Sequence, residues 1–230
     1  MDVYFCRMGN IKIIETGDGS SSLYNEALNE TYHSSHGALT ESRYVFIKSG
    51  FEAIREGKLE VNILEVGMGT GLNAILMVEQ ALKYPEVTIN YVTLEPFPLS
   101  EELIDGLNYN QLFEEHLTPY FKQLHSAEWD KVTDILPNFK LHKQKTTLED
   151  FQSDKTFETI FFDAFAPNKQ PEVWFVENLK KTFDYTSQDG IFVTYCAKGQ
   201  LRRDLVSVGY DVERYPGPPG KREMLRGWKR

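Results

Sequence analysis

Three acids stand where apolar runs end, each beside residues suited to holding a ligand. Glu65 belongs to Val61-Asn62-Ile63-Leu64-Glu65-Val66, which breaks into Gly67-Met68-Gly69-Thr70-Gly71-Leu72-Asn73. Glu95 closes Tyr91-Val92-Thr93-Leu94, and Asp163 follows Phe161-Phe162 and opens Ala164-Phe165-Ala166-Pro167. In an open α/β sheet the carboxyl ends of the strands form one edge, and ligands bind there. An acid at that edge can accept hydrogen bonds from hydroxyls or hold an amine.

The glycine turn narrows the ligand. Glycines at 67, 69 and 71 remove side chains where a strand-to-helix turn bends sharply and its backbone approaches a bound molecule. A dinucleotide pattern would need its third glycine at 72, which is Leu72, and no Gly-Lys-Ser/Thr of a phosphate loop follows. The spacing suits S-adenosylmethionine, which brings a sulfonium and an amino-acid end but no diphosphate. On that reading Glu65 faces the cationic end, and backbone N–H groups between Gly67 and Asn73 take the carboxylate. Glu95 accepts the two ribose hydroxyls. Asp163 holds a substrate amine beside the methyl donor, with Phe165 and Pro167 as a binding wall. The competing reading of each feature is structural: a turn that serves packing, or a carboxylate that caps a loop.

Composition bounds the rest. The chain has 230 residues, 41% hydrophobic and 26% charged, which places it among globular chains rather than disordered or fibrous ones. Its net charge of −9 excludes a general nucleic-acid coat. Residues 198–230 nevertheless carry nine Lys and Arg against four Asp and Glu, a local +5 that permits one anion-binding face. No apolar run approaches a membrane span, and the start, Met1 to Arg7, lacks the pattern of a signal peptide, so the cytoplasm is the expected address and no membrane partner is expected. Cys6 and Cys196, without metal-ligand spacing, suggest free thiols and no metal site.

The elements that must position the three acids follow from the pattern of apolar runs. Strands are expected at 61–66, 87–94, 139–142, 157–162 and 191–195, with helices at 73–83, 172–183 and 199–207. Strand and helix alternate, which implies a mostly parallel sheet covered on both faces. The last stretch breaks the rhythm: Tyr210 to Tyr215 and Glu223 to Trp228 flank Pro216-Gly217-Pro218-Pro219-Gly220 too closely for a crossover helix. An antiparallel hairpin at one sheet edge is expected. Ile11 to Ile14 reads as a strand entering the turn-rich 16–22 segment, so residues 1–58 are read as a small N-terminal appendage of strands, loop and helix, and 59–230 as the Rossmann-like main domain.

Five segments together resemble the methyltransferase part of the bifunctional tRNA wobble-uridine modifying enzyme, whose stand-alone form methylates 5-aminomethyl-2-thiouridine. They are Tyr32-His33-Ser34-Ser35-His36-Gly37-Ala38 with Glu41 to Phe46, Gly67 to Asn73, Glu95-Pro96-Phe97-Pro98-Leu99, Phe162 to Pro167, and Lys221 to Gly227. The resemblance implies a class I S-adenosylmethionine-dependent methyltransferase fold, Rossmann-like. It also implies donor binding by Glu65, Gly67, Gly69, Gly71, Asn73 and Glu95, and an Asp163 loop that contacts the amine. Members often show Gly-Asp after the strand that meets adenine, whereas this chain reads His142-Lys143-Gln144-Lys145-Thr146-Thr147. The adenine contact then falls to Gln144 or a threonine hydroxyl such as Thr146.

The expected reaction is transfer to the neutral amine on C5 of the wobble uridine, with Asp163 orienting it and a water or His36 carrying off the proton. Tyr32 and Trp174 are candidates to stack on the extruded base, and His33 adjoins them. Arg202, Arg203, Lys221, Arg222 and Arg226 are candidates to guide the anticodon backbone. The length leaves no room for the flavin-dependent oxidase domain of the bifunctional relatives, so flavin is not expected and a separate oxidoreductase acts upstream. Two other readings fit the same turn: a small-molecule amine alkyltransferase that moves methyl or aminopropyl groups, and a tRNA partner that binds the donor without chemistry.

Overall fold

The computed structural model describes residues 10–230; Cys6 and the start of the chain lie outside the described residues. β1 (Ile11–Glu15), β2 (Ser21–Asn25) and β3 (Glu30–Thr31) form a three-stranded antiparallel sheet. Then come α1 (Ala38–Ser42), a wide-turn stretch Arg43–Phe51 that ends with Glu52 N–H bonded to the carbonyl of Ile47, and α2 (Glu52–Ile54). The doubly wound part follows: β4 (Glu60–Val66), α3 (Leu72–Lys83), β5 (Thr88–Leu94), α4 (Glu101–Asp105), α5 (Tyr109–Leu112), α6 (Thr118–Ser126), β6 (Val132–Leu136) and β7 (Phe139–Gln144). β8 (Phe157–Phe162), α7 (Val176–Tyr185), β9 (Thr186–Thr194), α8 (Gly199–Val208), β10 (Asp211–Pro216) and β11 (Glu223–Trp228) complete the chain.

The large sheet runs β10-β11-β9-β8-β4-β5-β7-β6, parallel from β9 to β7 and antiparallel at both edges. Its central strands read as near-continuous apolar runs because both faces are covered: Val61, Ile63, Leu64, Ile160, Phe161 and Phe162 are all buried. The expected C-terminal hairpin is present, with β11 against β9. The chain leaves β4 towards β5 and later returns to β8 on the other side of β4, so the switch point lies between Val66 and Phe162, which are register partners. A crevice opens at such a point.

α3 is buried on nearly every side, with Leu72, Ala74, Ile75, Leu76, Met77, Val78 and Ala81 at 5% exposure or less. The sheet covers one face and the 38–54 helical segment and α6 the other. Val45, Phe46, Ile47 and Phe51 belong to the same apolar cluster as β4 and β5, and Phe46 meets Phe161 at 5.3 Å between ring centroids. Gly50 permits this close approach, since a Cβ there would lie 2.9 Å from the Phe161 ring. The core therefore runs across the expected boundary at 58/59.

One expected helix is divided. Residues 171–174 form a single tight turn, Phe175 is extended at φ −60 and ψ 148, and α7 starts only at Val176. The apolar pattern is continuous through the break, but burying Trp174 against Phe162 requires the chain to change direction there.

Candidate functional site

The glycine turn leaves β4 with positive φ at Gly67 (93°), Gly69 (50°) and Gly71 (73°). A side chain is excluded twice over at the first and last. A Cβ on Gly67 would lie 2.8 Å from the Asp163 carbonyl, and one on Gly71 would lie 2.8 Å from the His125 ring. Gly67 and Met68 donate their N–H groups to the Leu94 carbonyl, and Asp163 N–H donates to the Val66 carbonyl at 3.0 Å. The three strand ends are thus laced together, and the three acids come to one edge as the sequence implies.

Glu95 lies at that edge with one oxygen accepting from Gly69 N–H (3.1 Å) and the other from Phe97 N–H (2.9 Å). Each oxygen keeps a lone pair, the donor set that two vicinal hydroxyls would satisfy. Burial pushes its carboxyl above the usual range, against the pull of those two N–H bonds. Glu65 is placed differently from expectation. It is fully buried beneath the turn, bonded by the Thr93 hydroxyl (2.6 Å) and the Asn73 amide (3.0 Å), and does not line the cavity. Its apolar surroundings push its carboxyl up to about 8. A carboxyl held there reaches a ligand only through Asn73, whose second N–H donates to Asp163 at 2.8 Å.

Asp163 is half-buried on the cavity wall. Desolvation and the nearby Glu41 carboxylate raise its carboxyl to about 7, against the lowering effects of the Asn73 hydrogen bond and the Lys221 charge. Glu41, buried on α1, accepts from Ser34 N–H at 2.8 Å and pairs with Lys221 at 2.5 Å. The Lys221 ammonium also sits 4.1 Å from the centre of the Tyr195 ring, whose hydroxyl donates to the Ala164 carbonyl at 2.9 Å. An acid near 7 on a solvent-reached wall can take a proton from an amine and return it.

A cavity of about 930 Å³ extends from this edge. Gly67, Gly69, Glu95 and Asp163 form its floor, residues 96–100 and 146–149 one side, and β1 with Tyr32 its roof. The roof is fastened to the Asp163 loop twice. Tyr32 meets Phe165 edge-on at 4.9 Å, and the Lys169 ammonium donates to the carbonyls of Leu28 (2.9 Å) and Asn29 (2.8 Å).

The remaining expected residues divide. Thr146 and Phe165 line the cavity; Gln144 does not, and its amide rests on the His142 ring. Gly71 and Asn73 support the turn from behind. His33 bonds Ser22 through its ring at 3.0 Å, and burial lowers its pKa to about 4, which makes it a structural, neutral histidine. His36 is exposed with its ring against Gly220, away from the cavity wall, so it is not beside Asp163's reacting face. Trp174 is not free to stack on a base: it is buried, and its indole N–H donates to the Phe165 carbonyl at 2.7 Å, bracing the loop from beneath. Pro167 lies on that loop outside the cavity lining. Arg202, Arg203 and Arg222 are exposed, whereas Lys221 is engaged with Glu41, and Arg226 with Glu213 and the Tyr215 ring, neither of them free for a backbone.

The sequence assigns no role to Glu41, Lys169 or Tyr195, whose contacts at the site are with residues distant in sequence. Among the described residues no cluster of His, Cys, Asp and Glu is arranged to hold a metal, and no helix is long and apolar enough to cross a membrane.

Comparison with known proteins agrees with this geometry. Residues 108–230 match the family model described as S-adenosyl-L-methionine-dependent methyltransferase. The chain is 27% identical over 224 residues to a tRNA 5-methylaminomethyl-2-thiouridine biosynthesis bifunctional protein MnmC of Aromatoleum aromaticum, covering 92% of this chain and 34% of the relative. It is 30% identical to the protein of the same name from Leptospira interrogans, over 88% of this chain and 33% of that one. The chain thus spans about a third of the length of the curated relatives it matches. Its fold is that of the MNMC2 crystal structure from Aquifex aeolicus, with a TM-score of 0.80 at 23% identity over 95% of this chain and 70% of that one. The chain belongs to the S-adenosyl-L-methionine-dependent methyltransferase family.

Proposed function

We propose that this chain methylates the 5-aminomethyl group of uridine or 2-thiouridine at the tRNA wobble position. The observation that carries the reading is Asp163, a carboxyl raised to about 7 on the wall of the cavity floored by the glycine turn. Amine methylation needs such a group, because only the unprotonated nitrogen has a lone pair to attack with. The substrate class rests on the relatives, which are named for tRNA 5-methylaminomethyl-2-thiouridine biosynthesis and align over most of this chain.

The chain's residues fit the donor. Glu95 presents two carboxylate oxygens for the ribose hydroxyls, Thr146 and the 96–98 segment flank the nucleoside, and the Gly67 to Gly69 backbone approaches the amino-acid end. Bound S-adenosylmethionine supplies an electrophilic methyl carbon with a neutral thioether as leaving group. Asp163 accepts a proton from the substrate ammonium and holds the freed amine in line. The N–C bond forms as the C–S bond breaks, with its electron pair left on sulfur. The secondary ammonium that results sheds its excess proton to solvent. Tyr32 and Phe165 exclude water from the approach. Exposed Arg202, Arg203 and Arg222 steer the anticodon arm. On this reading a separate oxidoreductase supplies the aminomethyl substrate, and the reaction takes place in the cytoplasm.

The test is incubation with methyl-labelled S-adenosylmethionine and tRNA that carries the 5-aminomethyl group, followed by digestion to nucleosides. Label in 5-methylaminomethyl-2-thiouridine is the expected result. Label confined to a small polyamine-type acceptor would replace the reading with small-molecule alkylation.

A further inference from the structure

The loop from Asp163 ends at the surface in two aromatic residues that the fold treats oppositely. Trp174 is 6% exposed and Phe175 is 55% exposed. Among the described Phe, Tyr and Trp residues, Phe175 is the only one that is exposed rather than buried or half-buried. Its backbone is firmly held: its N–H donates to the Glu172 carbonyl (3.2 Å), and its own carbonyl accepts from Asn178 and Leu179, each at 3.0 Å. The ring therefore stands in water on a fixed base, with Val176, 42% exposed, beside it.

Its position is the rim of the cavity. Glu172 and Val173, three and two residues earlier, line the cavity, as does Asn178 one turn later. Charge surrounds this rim unevenly. Lys198 is exposed, and its ammonium donates to the Asn168 side chain at 2.9 Å, which ties a cation to the loop itself. α8 continues from it with Arg202 and Arg203 exposed, and packs against α7, the helix that Phe175 precedes. The acids nearby are Glu172, half-buried, Glu177, exposed, and on α8 itself Asp204, half-buried and bonded by the Gln200 amide. An apolar ring beside a cationic edge on an otherwise acidic protein matches a nucleic-acid base with its phosphates, and matches an apolar protein surface poorly.

We propose that Phe175 is a stacking platform for a nucleobase next to the modified nucleotide, and that Lys198, Arg202 and Arg203 take the neighbouring phosphates. The proposal rests on the tRNA reading above. A wobble base drawn into the cavity leaves its neighbours without a stacking partner, and an aromatic face at the rim replaces it.

The test uses an anticodon stem-loop bearing 5-aminomethyl-2-thiouridine, with steady-state kinetics for the wild type and for Phe175→Ala, Phe175→Trp and Phe175→Leu. Loss of one base-aromatic stack is expected to raise KM for the stem-loop by about 5- to 150-fold in Phe175→Ala. The value of kcat, the affinity for S-adenosylhomocysteine and the melting temperature should stay near wild type, since the ring is exposed and off the donor site. Phe175→Trp should restore KM and Phe175→Leu should not. Replacing Lys198 with Gln should flatten the salt dependence of KM. An unchanged KM in Phe175→Ala, or full rescue by Leu, overturns stacking while leaving the tRNA reading intact; the first is also the result if the rim serves a protein partner. No methyl transfer to the stem-loop or to whole tRNA by the wild type overturns both.

Discussion

Asn73 donates one N–H to Asp163 at 2.8 Å and the other to Glu65 at 3.0 Å, so a single buried amide holds two carboxyl groups that would otherwise meet as like charges. The arrangement follows from the glycine turn, because Asn73 is the second residue of the helix that the turn starts, and β4 and β8 end side by side beneath it. Burial raises both acids, Glu65 to about 8 and Asp163 to about 7, and the amide acts against that rise in each.

The pH dependence of the reaction should report this bridge. With Asp163 acting as the carboxylate, kcat/KM rises with pH through about 7. Three groups act on Asp163: Asn73 and Lys221 favour its ionised form, and Glu41 opposes it, while Glu65, held up to about 8, is still neutral as Asp163 titrates. Asn73→Ala should therefore move the acidic limb to higher pH, and Glu41→Gln should move it to lower pH. Asp163→Asn should lower kcat by about 10²- to 10⁴-fold, the usual range for loss of a general base. Limbs that stay in place in both the Asn73 and the Glu41 variants would remove Asp163 from the titration.

Glu65 makes a separate prediction about stability. Its folded-state pKa, about 8, lies above the ordinary 4.5 of the unfolded chain. The folded protein thus binds the proton more tightly, and the resulting stabilisation is complete below about 4.5 and is lost as pH rises towards 8. Glu65→Gln keeps an oxygen acceptor for the amide and cannot ionise. Urea midpoints measured at pH 5 and pH 8 should differ less in this variant than in the wild type. An equal difference would mean that Glu65 does not titrate in this range.

How much of this was legible in the sequence depends on the range over which each feature is specified. β4 and β8 were readable because their later residues are buried on both faces and appear as near-continuous apolar runs, β5 because its buried residues alternate, and the glycine turn and the Pro-Gly-rich hairpin loop are local chemistry. A helix was expected within residues 1–58, but its bounds were not legible, since the wide turns of 43–51 depart from the 3.6-residue period that marks a helix. β6 was missed because it is an edge strand with Val132 and Asp134 facing water. Glu41 needs Lys221, 180 residues away, before it has a role, and nothing in its neighbours signals the pair. The exchange of Trp174 and Phe175 is the most instructive case, because one extended residue decides which of two adjacent aromatics is core and which is surface.

Glu95 should govern donor affinity without touching the acceptor side. Its two oxygens are already oriented by Gly69 and Phe97 N–H groups, so their remaining lone pairs point into the cavity without further ordering. Hydrogen bonds to a charged group contribute about 1.5–3 kcal/mol, so Glu95→Ala should weaken S-adenosylhomocysteine binding by about 10- to 100-fold in calorimetric titration. Stem-loop binding in the absence of donor should be unchanged. Retained donor affinity would remove Glu95 from the site.

Lys169 should control how the roof stays closed. Its ammonium is shared between the Leu28 and Asn29 carbonyls at the β2–β3 turn, and with the Tyr32–Phe165 contact it joins the first sheet to the Asp163 loop. Lys169→Met keeps the apolar stem and removes both hydrogen bonds. These contacts lie outside the two main apolar clusters, so the melting temperature should change little while local opening becomes easier. Amide hydrogen exchange should accelerate in residues 21–32 and 163–170 and not in β4, β5 or β8, and the Michaelis constant for the donor should rise. Exchange that accelerates equally in the central strands would show that Lys169 supports the whole fold instead, and unchanged exchange in 21–32 would show that the Tyr32–Phe165 contact alone holds the roof.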